Sequence, residues 1–354
     1  MSKAVYTNKI INYDTIRKLT EFQLLNAYTL ERAGFIGKAG SSLLFFELSK
    51  FDKQLADSLF LEDHAIELLK EVLTYNFDHC EFENGKIGIS YIIHYLIKNN
   101  FLNADYFDLY EKQHNEIIDS LNKLDYDAKN IYIDIDYLFF IHIFHKTITN
   151  NKKVEYNKKL TNNILYTLSE FDNTVKIANS RIFYKYAEKL LSTCISVGVS
   201  SECIQKYIKK ITEIDYKFKD IDCVCEEPLF YIQLFKYRLM SREKNVTEVK
   251  IIIQEFLNSI SLTALDFQEK INLCFNLYYI YNLDNSLDFR HSITFIVNTI
   301  IGDVDSVEKK IFRLIKNTND EHNIIINKLL LLCIHWEQLS LGVCNKYLIA
   351  LFRL

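Results

Sequence analysis

The alternation of apolar and polar positions in this chain is helical wherever it is regular. Leu61, Ala65, Leu68, Leu69, Val72 and Leu73 recur on one face at helical spacing, and Glu62, Asp63, Glu67, Lys70 and Glu71 fall opposite. Tyr110, Ile117, Ile118 and Leu121 repeat the arrangement further along. Between these amphipathic segments lies a second kind of run, apolar on nearly every side, of which residues 85–98 are the clearest example. The amphipathic segments predict outer helices with one wet face. The apolar runs predict inner helices surrounded by protein.

The two kinds of segment recur together. Gly37-Lys38-Ala39-Gly40-Ser41-Ser42 returns 48 residues later as Gly85-Lys86-Ile87-Gly88-Ile89-Ser90, and the step carries Leu48 to Leu96, Lys50 to Lys98 and Ala56-Asp57 to Ala104-Asp105 without a gap. A second step reaches 133–146, where Ile135, His142 and Lys146 match Ile87, His94 and Lys98, while Asp136 replaces Gly88. Later steps fall near 181, 229, 277 and 325, all in apolar-rich runs. A unit of this size holds two average helices and their links. The expectation is one all-α domain over 1–354, built by stacking helix pairs, with its best-preserved repeats within 34–125.

Composition agrees with that picture. Only eight glycines and one proline, Pro228, punctuate 354 residues, too few for a fold rich in short strands and turns. With 49% hydrophobic residues the chain can bury a large core. Its 42 basic and 46 acidic residues leave a net charge of -4, which predicts no nucleic-acid partner. The first residues lack a signal-peptide pattern, and no run approaches the length of an apolar membrane span, so a cytoplasmic protein without membrane insertion is expected. Eight cysteines in a chain of this length predict free thiols or metal ligands rather than a disulfide framework.

Glycines three apart at the start of a helix permit positive φ, close backbone approach, or both. Gly37, Gly40, Gly85 and Gly88 are accordingly read as structural, marking where inner helices begin against their neighbours. The Gly-Lys-x-Gly-x-Ser string departs from phosphate-loop spacing and follows no strand, so nucleotide binding is not expected.

These glycine-led helix starts, the 48-residue step and the stretch from Glu83 to Leu96 resemble the lanthionine synthetase C-like family. The resemblance implies an α/α toroid of about seven helix pairs. It also implies a zinc-bound cyclase, in which two cysteines and a histidine hold a metal that activates a peptide thiolate for addition to a dehydrated serine or threonine.

The best match to the cysteine ligands is Cys225 with Cys274, 49 residues apart and so at equivalent positions in adjacent units. The family's histidine ligand falls on Phe275, which cannot coordinate zinc, and its local glycines fall on Glu227 and Asn276. No histidine occurs near Ala178-Asn179-Ser180, where the family's acid/base residue is sought. The expectation is therefore a degenerate member with Cys225 and Cys274 as a remnant pair, no assigned catalytic residue and no zinc. Its partner would be a precursor peptide or a peptide-modifying enzyme in peptide maturation.

Two alternatives accompany that reading. One is a zinc-dependent lanthionine cyclase using Cys225 and Cys274 with an unidentified third ligand, such as His322 or His335; the other is an unrelated helical-repeat interaction module. Remaining candidates have structural readings. Cys333 and His335 would diverge on one helix, as would Cys223 and Cys225, because positions i and i+2 do not share a face. Cys194 and Cys203, nine apart, have no comparable constellation. His94 and His142 read as hydrogen-bonded structural histidines, His79-Cys80 lacks an orienting third group, Asp134 and Asp136 read as helix caps, and Trp336 as an anchor.

Overall fold

The computed structural model describes residues 13–75 and 78–123, and beyond them positions 140, 202, 205–206, 251, 254, 257–258, 265, 269–271, 273–275, 277, 289, 291–300, 326–332 and 334. Among the described residues the regular structure is helical throughout, without a strand. The order is α1 (Tyr13–Ala27), α2 (Lys38–Phe51), α3 (Lys53–Leu59), α4 (Leu61–Thr74), α5 (Lys86–Lys98) and α6 (Tyr106–Lys123).

Helices α2 and α5 are the apolar ones, and their starts, Lys38 and Lys86, each directly follow the first glycine of a pair. Both are enclosed. Every residue of α2 from Lys38 to Ser49 is buried, as is α5 from Lys86 to Ile93 and again at Tyr95 and Leu96. Amphipathic α4 packs on α2 through Leu61, Ala65, Leu68, Leu69 and Val72, while Glu62, Asp63, Glu67 and Lys70 stay exposed. Helix α6 packs on α5 in the same manner, burying Tyr110 and Ile117, and α2 packs on α5.

The loops before α2 and α5 form a layer of their own. Ile36 donates its N–H to the Glu83 carbonyl at 3.0 Å, and the rings of Phe35 and Phe82 lie 5.3 Å apart. Close approach, not left-handed backbone, is what calls for glycine here. A Cβ on Gly40 would lie 1.8 Å from the Phe35 oxygen, and one on Gly88 1.9 Å from the Phe82 oxygen. A Cβ on Gly34 would strike the backbone of Glu83 and Asn84 across the layer.

The two units differ between their helices. Asp52 ends α2, and its carboxylate accepts from the Leu55 N–H at 2.9 Å, which starts an additional short helix, α3. Ala56 and Asp57 therefore lie inside α3, whereas their sequence matches Ala104 and Asp105 lie in the loop before α6, where Asp105 accepts from the Phe107 N–H at 2.8 Å. The identical dipeptide does different work because only the first copy follows a capping aspartate. Helix α1, which sequence periodicity did not single out, joins the first unit through Gln23, whose Nε2 reaches Ser41 Oγ at 3.4 Å.

Among the described residues two non-glycine positions adopt left-handed backbone, Asn100 (φ 60°) and Phe60 (φ 51°). After Asn100, Phe101 and Leu102 return their N–H groups to the Leu96 carbonyl, closing α5. Phe101 then packs on Phe46 and Tyr95 beneath the Lys50 ammonium, 4.9 Å from its ring centre. Phe60 joins α3 to α4 with its side chain 65% exposed, a conformation that costs a side chain of this size on the order of 1 kcal/mol.

Candidate functional site

The repeated glycine-lysine string has its polar groups committed to helix packing. At the start of α2, the N–H groups of Lys38, Ala39 and Gly40 donate to the carbonyls of Arg32, Ala33 and Gly34 at 3.0, 3.0 and 3.4 Å. The preceding loop thus occupies the place where an anion would bind a helix N-terminus. At α5 the Lys86 N–H likewise donates to the His79 carbonyl at 3.0 Å.

The two lysines have matching partners. Lys38 Nζ is ion-paired with Glu71 on α4, and Lys86 Nζ with Glu116 on α6 at 2.7 Å. The serines that end each string also reach outward: Ser42 Oγ donates to the Ala65 carbonyl at 2.7 Å, and Ser90 Oγ lies 2.6 Å from the Tyr106 hydroxyl. The lysine and the last serine of each string, which could have cradled a phosphate, instead fasten an inner helix to an outer one.

Of the two cysteines expected as a remnant metal pair, one lies among the described residues. Cys274 is a free thiol, fully buried between Leu273 and Phe275, which are themselves buried. Burial pushes its thiol pKa up, as the low-dielectric core disfavours the thiolate. Cys225 lies outside the described residues, as do Cys194, Cys203, Cys223, Cys333, Cys344, His142, His322, His335, Asp134, Asp136 and Trp336. Among the described residues no three histidine, cysteine or acidic side chains converge as a metal site would need.

His94 is half-buried on α5 and meets the Tyr106 ring edge-on at 6.4 Å; burial lowers its pKa, with Lys98 adding in the same direction. Cys80 reaches Ser120 Oγ at 3.8 Å, and the neighbouring His79 contributes its backbone carbonyl to the start of α5.

Three polar groupings escaped the sequence patterns. In the first, Tyr95 donates to Glu47 between the two inner helices, and burial raises the Glu47 carboxyl pKa against the lowering effect of that bond. In the second, the Tyr106 hydroxyl lies between Ser90 Oγ and His114 Nδ1, at 2.6 and 3.2 Å, and burial lowers His114 to about 4. A neutral imidazole can accept at Nδ1, so the proton order Ser90 to Tyr106 to His114 satisfies all three groups. In the third, on the surface, the Tyr28 hydroxyl reaches His64 Nδ1 at 2.6 Å and donates to Glu67 Oε2 at 2.9 Å.

Glu47 left a trace in the sequence, an acidic residue within an apolar run and one repeat step from a tyrosine. His114 and Tyr28 left none: Tyr28 lies in the loop after α1 and meets His64 and Glu67 on α4, and His114 meets a hydroxyl eight residues earlier at the first residue of α6. The chain matches no protein-family model, no curated protein and no solved structure.

Proposed function

We propose that this chain is a degenerate lanthionine-synthetase-C-like scaffold: an α/α toroid of about seven helix pairs that binds a precursor peptide or a peptide-modifying enzyme during peptide maturation, without cyclase activity. Support for the scaffold comes from the polar residues of the repeated string, which join inner to outer helices. The observation that carries the loss of cyclase chemistry is Phe275, an apolar side chain at the position where the family's histidine ligand falls, buried beside the buried Cys274. A thiol in that setting behaves as a small apolar side chain. Packing outlasts catalysis readily, because a helical scaffold and its site chemistry are separable.

Metal analysis of the purified full chain after expression with ample zinc tests the catalytic half. The expected result is zinc far below one equivalent, unchanged by Cys225→Ser or Cys274→Ser. Near-stoichiometric zinc lost in either variant would restore the cyclase reading, with a third ligand still to be found. Capture of a dehydratase-like enzyme or a Ser/Thr/Cys-rich precursor encoded beside this chain tests the binding half, and failure to retain either favours an unrelated helical-repeat module.

A further inference from the structure

The residues around Cys274 repeat the string that opens α2 and α5. Lys270-Ile271-Asn272-Leu273-Cys274-Phe275 falls on Lys86-Ile87-Gly88-Ile89-Ser90-Tyr91, with the lysine and the isoleucine after it identical, eight residues short of four steps of 48. Glu269 and Asn272 stand where the earlier copies carry glycine, so no glycine pattern marks this one. Burial follows the same register. Lys38, Lys86 and Lys270 are 8%, 8% and 6% exposed, and Ser42, Ser90 and Cys274 are each 0% exposed. Lysine is almost never buried unless paired, so three at one position of an apolar helix mark one recurring environment.

An outer helix follows at the matching distance. Helical residues 291–300 come 21 positions after Lys270, where α4 starts 23 after Lys38 and α6 starts 20 after Lys86. They bury Ile293, Ile296, Val297 and Ile300 and expose His291 and Phe295, the one-sided pattern of α4. The Phe289 carbonyl accepts from the Ile293 N–H at 2.9 Å, as the Phe60 carbonyl accepts from the His64 N–H at 3.1 Å ahead of α4.

We propose that the helical residues after Glu269 and those over 291–300 are a further copy of the inner and outer helix pair, in which Cys274 takes the place of the string serine. At that place Ser42 donates to the Ala65 carbonyl and Ser90 meets the Tyr106 hydroxyl, both on the outer helix. Cys274 keeps the position with the weaker donor of a thiol, as a packing residue and not as the relic of a metal ligand. This inference rests on the degenerate-scaffold reading and deepens it: the cysteine that the family resemblance assigns to zinc belongs, by the chain's own repeat, to the joint between two helices.

The test compares Cys274→Ser with Cys274→Ala in the full chain by urea unfolding. At a serine position the hydroxyl finds a partner on the outer helix, so Cys274→Ser should have the higher midpoint of the two, as the parent should over Ser42→Ala and Ser90→Ala. In an apolar pocket a buried hydroxyl without a partner is the worse choice, so a midpoint for Cys274→Ser equal to or below that of Cys274→Ala would overturn the assignment. Lys270→Gln gives a second measure: it should lower the midpoint, as Lys38→Gln and Lys86→Gln should, and an unchanged midpoint would overturn the shared register. Cobalt added to the parent and to Cys274→Ser should give the same spectrum. A thiolate-to-cobalt absorption lost in Cys274→Ser would overturn both this assignment and the cyclase-free reading, whereas the wrong order of serine and alanine without such an absorption would overturn the register alone.

Discussion

Tyr95 donates its hydroxyl to Glu47 Oε1 at 2.5 Å, and the two residues are 48 positions apart, one on each inner helix at the same place in its unit. The repeat therefore contains an asymmetric pair, acceptor in one copy and donor in the next. Glu47 is 4% exposed, so its carboxyl is driven toward the neutral form by burial, and the phenol opposes that drift by favouring the anion.

This pair gives a pH prediction with a defined sign. A carboxyl whose folded pKa lies above its unfolded value stabilises the fold fully below the unfolded value, 4.5, and loses that contribution as pH rises through the folded one. Glu47→Gln keeps the acceptor oxygen and removes the titration. Urea unfolding of the variant should show a flatter pH dependence above 4.5 and a stability at pH 7 equal to or above the parent's. Tyr95→Phe should be destabilising at pH 7 by about 1–3 kcal/mol, because a buried carboxylate loses its donor.

His114 titrates in the opposite sense. Its folded pKa of about 4 lies below the unfolded 6.5, so its contribution is complete above 6.5 and disappears as pH falls toward 4. The expected size is ~2–3 kcal/mol. An NMR titration should place the His114 midpoint near 4 if the protein remains folded, and Tyr106→Phe should remove the hydroxyl that His114 accepts from without exposing the imidazole. A midpoint near 6.5 would contradict the buried, neutral assignment.

Gly40→Ala and Gly88→Ala set two effects against each other. Alanine improves helix propensity by about 1 kcal/mol, but the new methyl would sit under 2 Å from a carbonyl oxygen of the preceding loop. The clash should win, with a net loss of at least ~2 kcal/mol and a lower Tm. Thermal unfolding by circular dichroism measures it directly, and an unchanged Tm in both variants would remove the close-approach explanation.

Lys86→Met should cost ~1 kcal/mol, because Glu116 loses its partner at 2.7 Å, and the figure is modest because Glu116 is about one-third exposed and keeps Lys112 at 4.0 Å. Adding Glu116→Gln should recover most of that loss. A double-mutant cycle by urea unfolding reads the coupling, and strict additivity would show that the ion pair contributes nothing of its own.

Much of the described architecture was legible in the order of apolar and polar residues. The stripe from Leu61 to Leu73 gave α4 its buried face, and the runs after Gly37 and Gly85 gave α2 and α5, because periodic burial is a local property that sequence records directly. Helix α3 was not legible as a departure from the repeat: the matching Ala-Asp pairs suggested equivalence, while one aspartate accepting one backbone N–H decided the local structure. The candidate metal pair depended on two residues brought together over 49 positions, and of the two only Cys274 lies among the described residues. The groupings around Tyr28, Tyr106 and Glu47 each join distant segments. Such contacts depend on how helices are placed, which residue spacing within one helix does not encode.

The bond from Ile36 to Glu83 has a dynamic consequence. The Ile36 amide belongs to the loop that opens the first unit, but its acceptor belongs to the loop before α5, so proton exchange at Ile36 reports the parting of two units rather than the melting of α2. Such an amide measures the coupling between these two units separately from the stability of either. Ile36 should therefore exchange faster when Gly88 is replaced than the amides at the centre of α2 do, making one backbone proton a gauge of how far unfolding spreads along the chain.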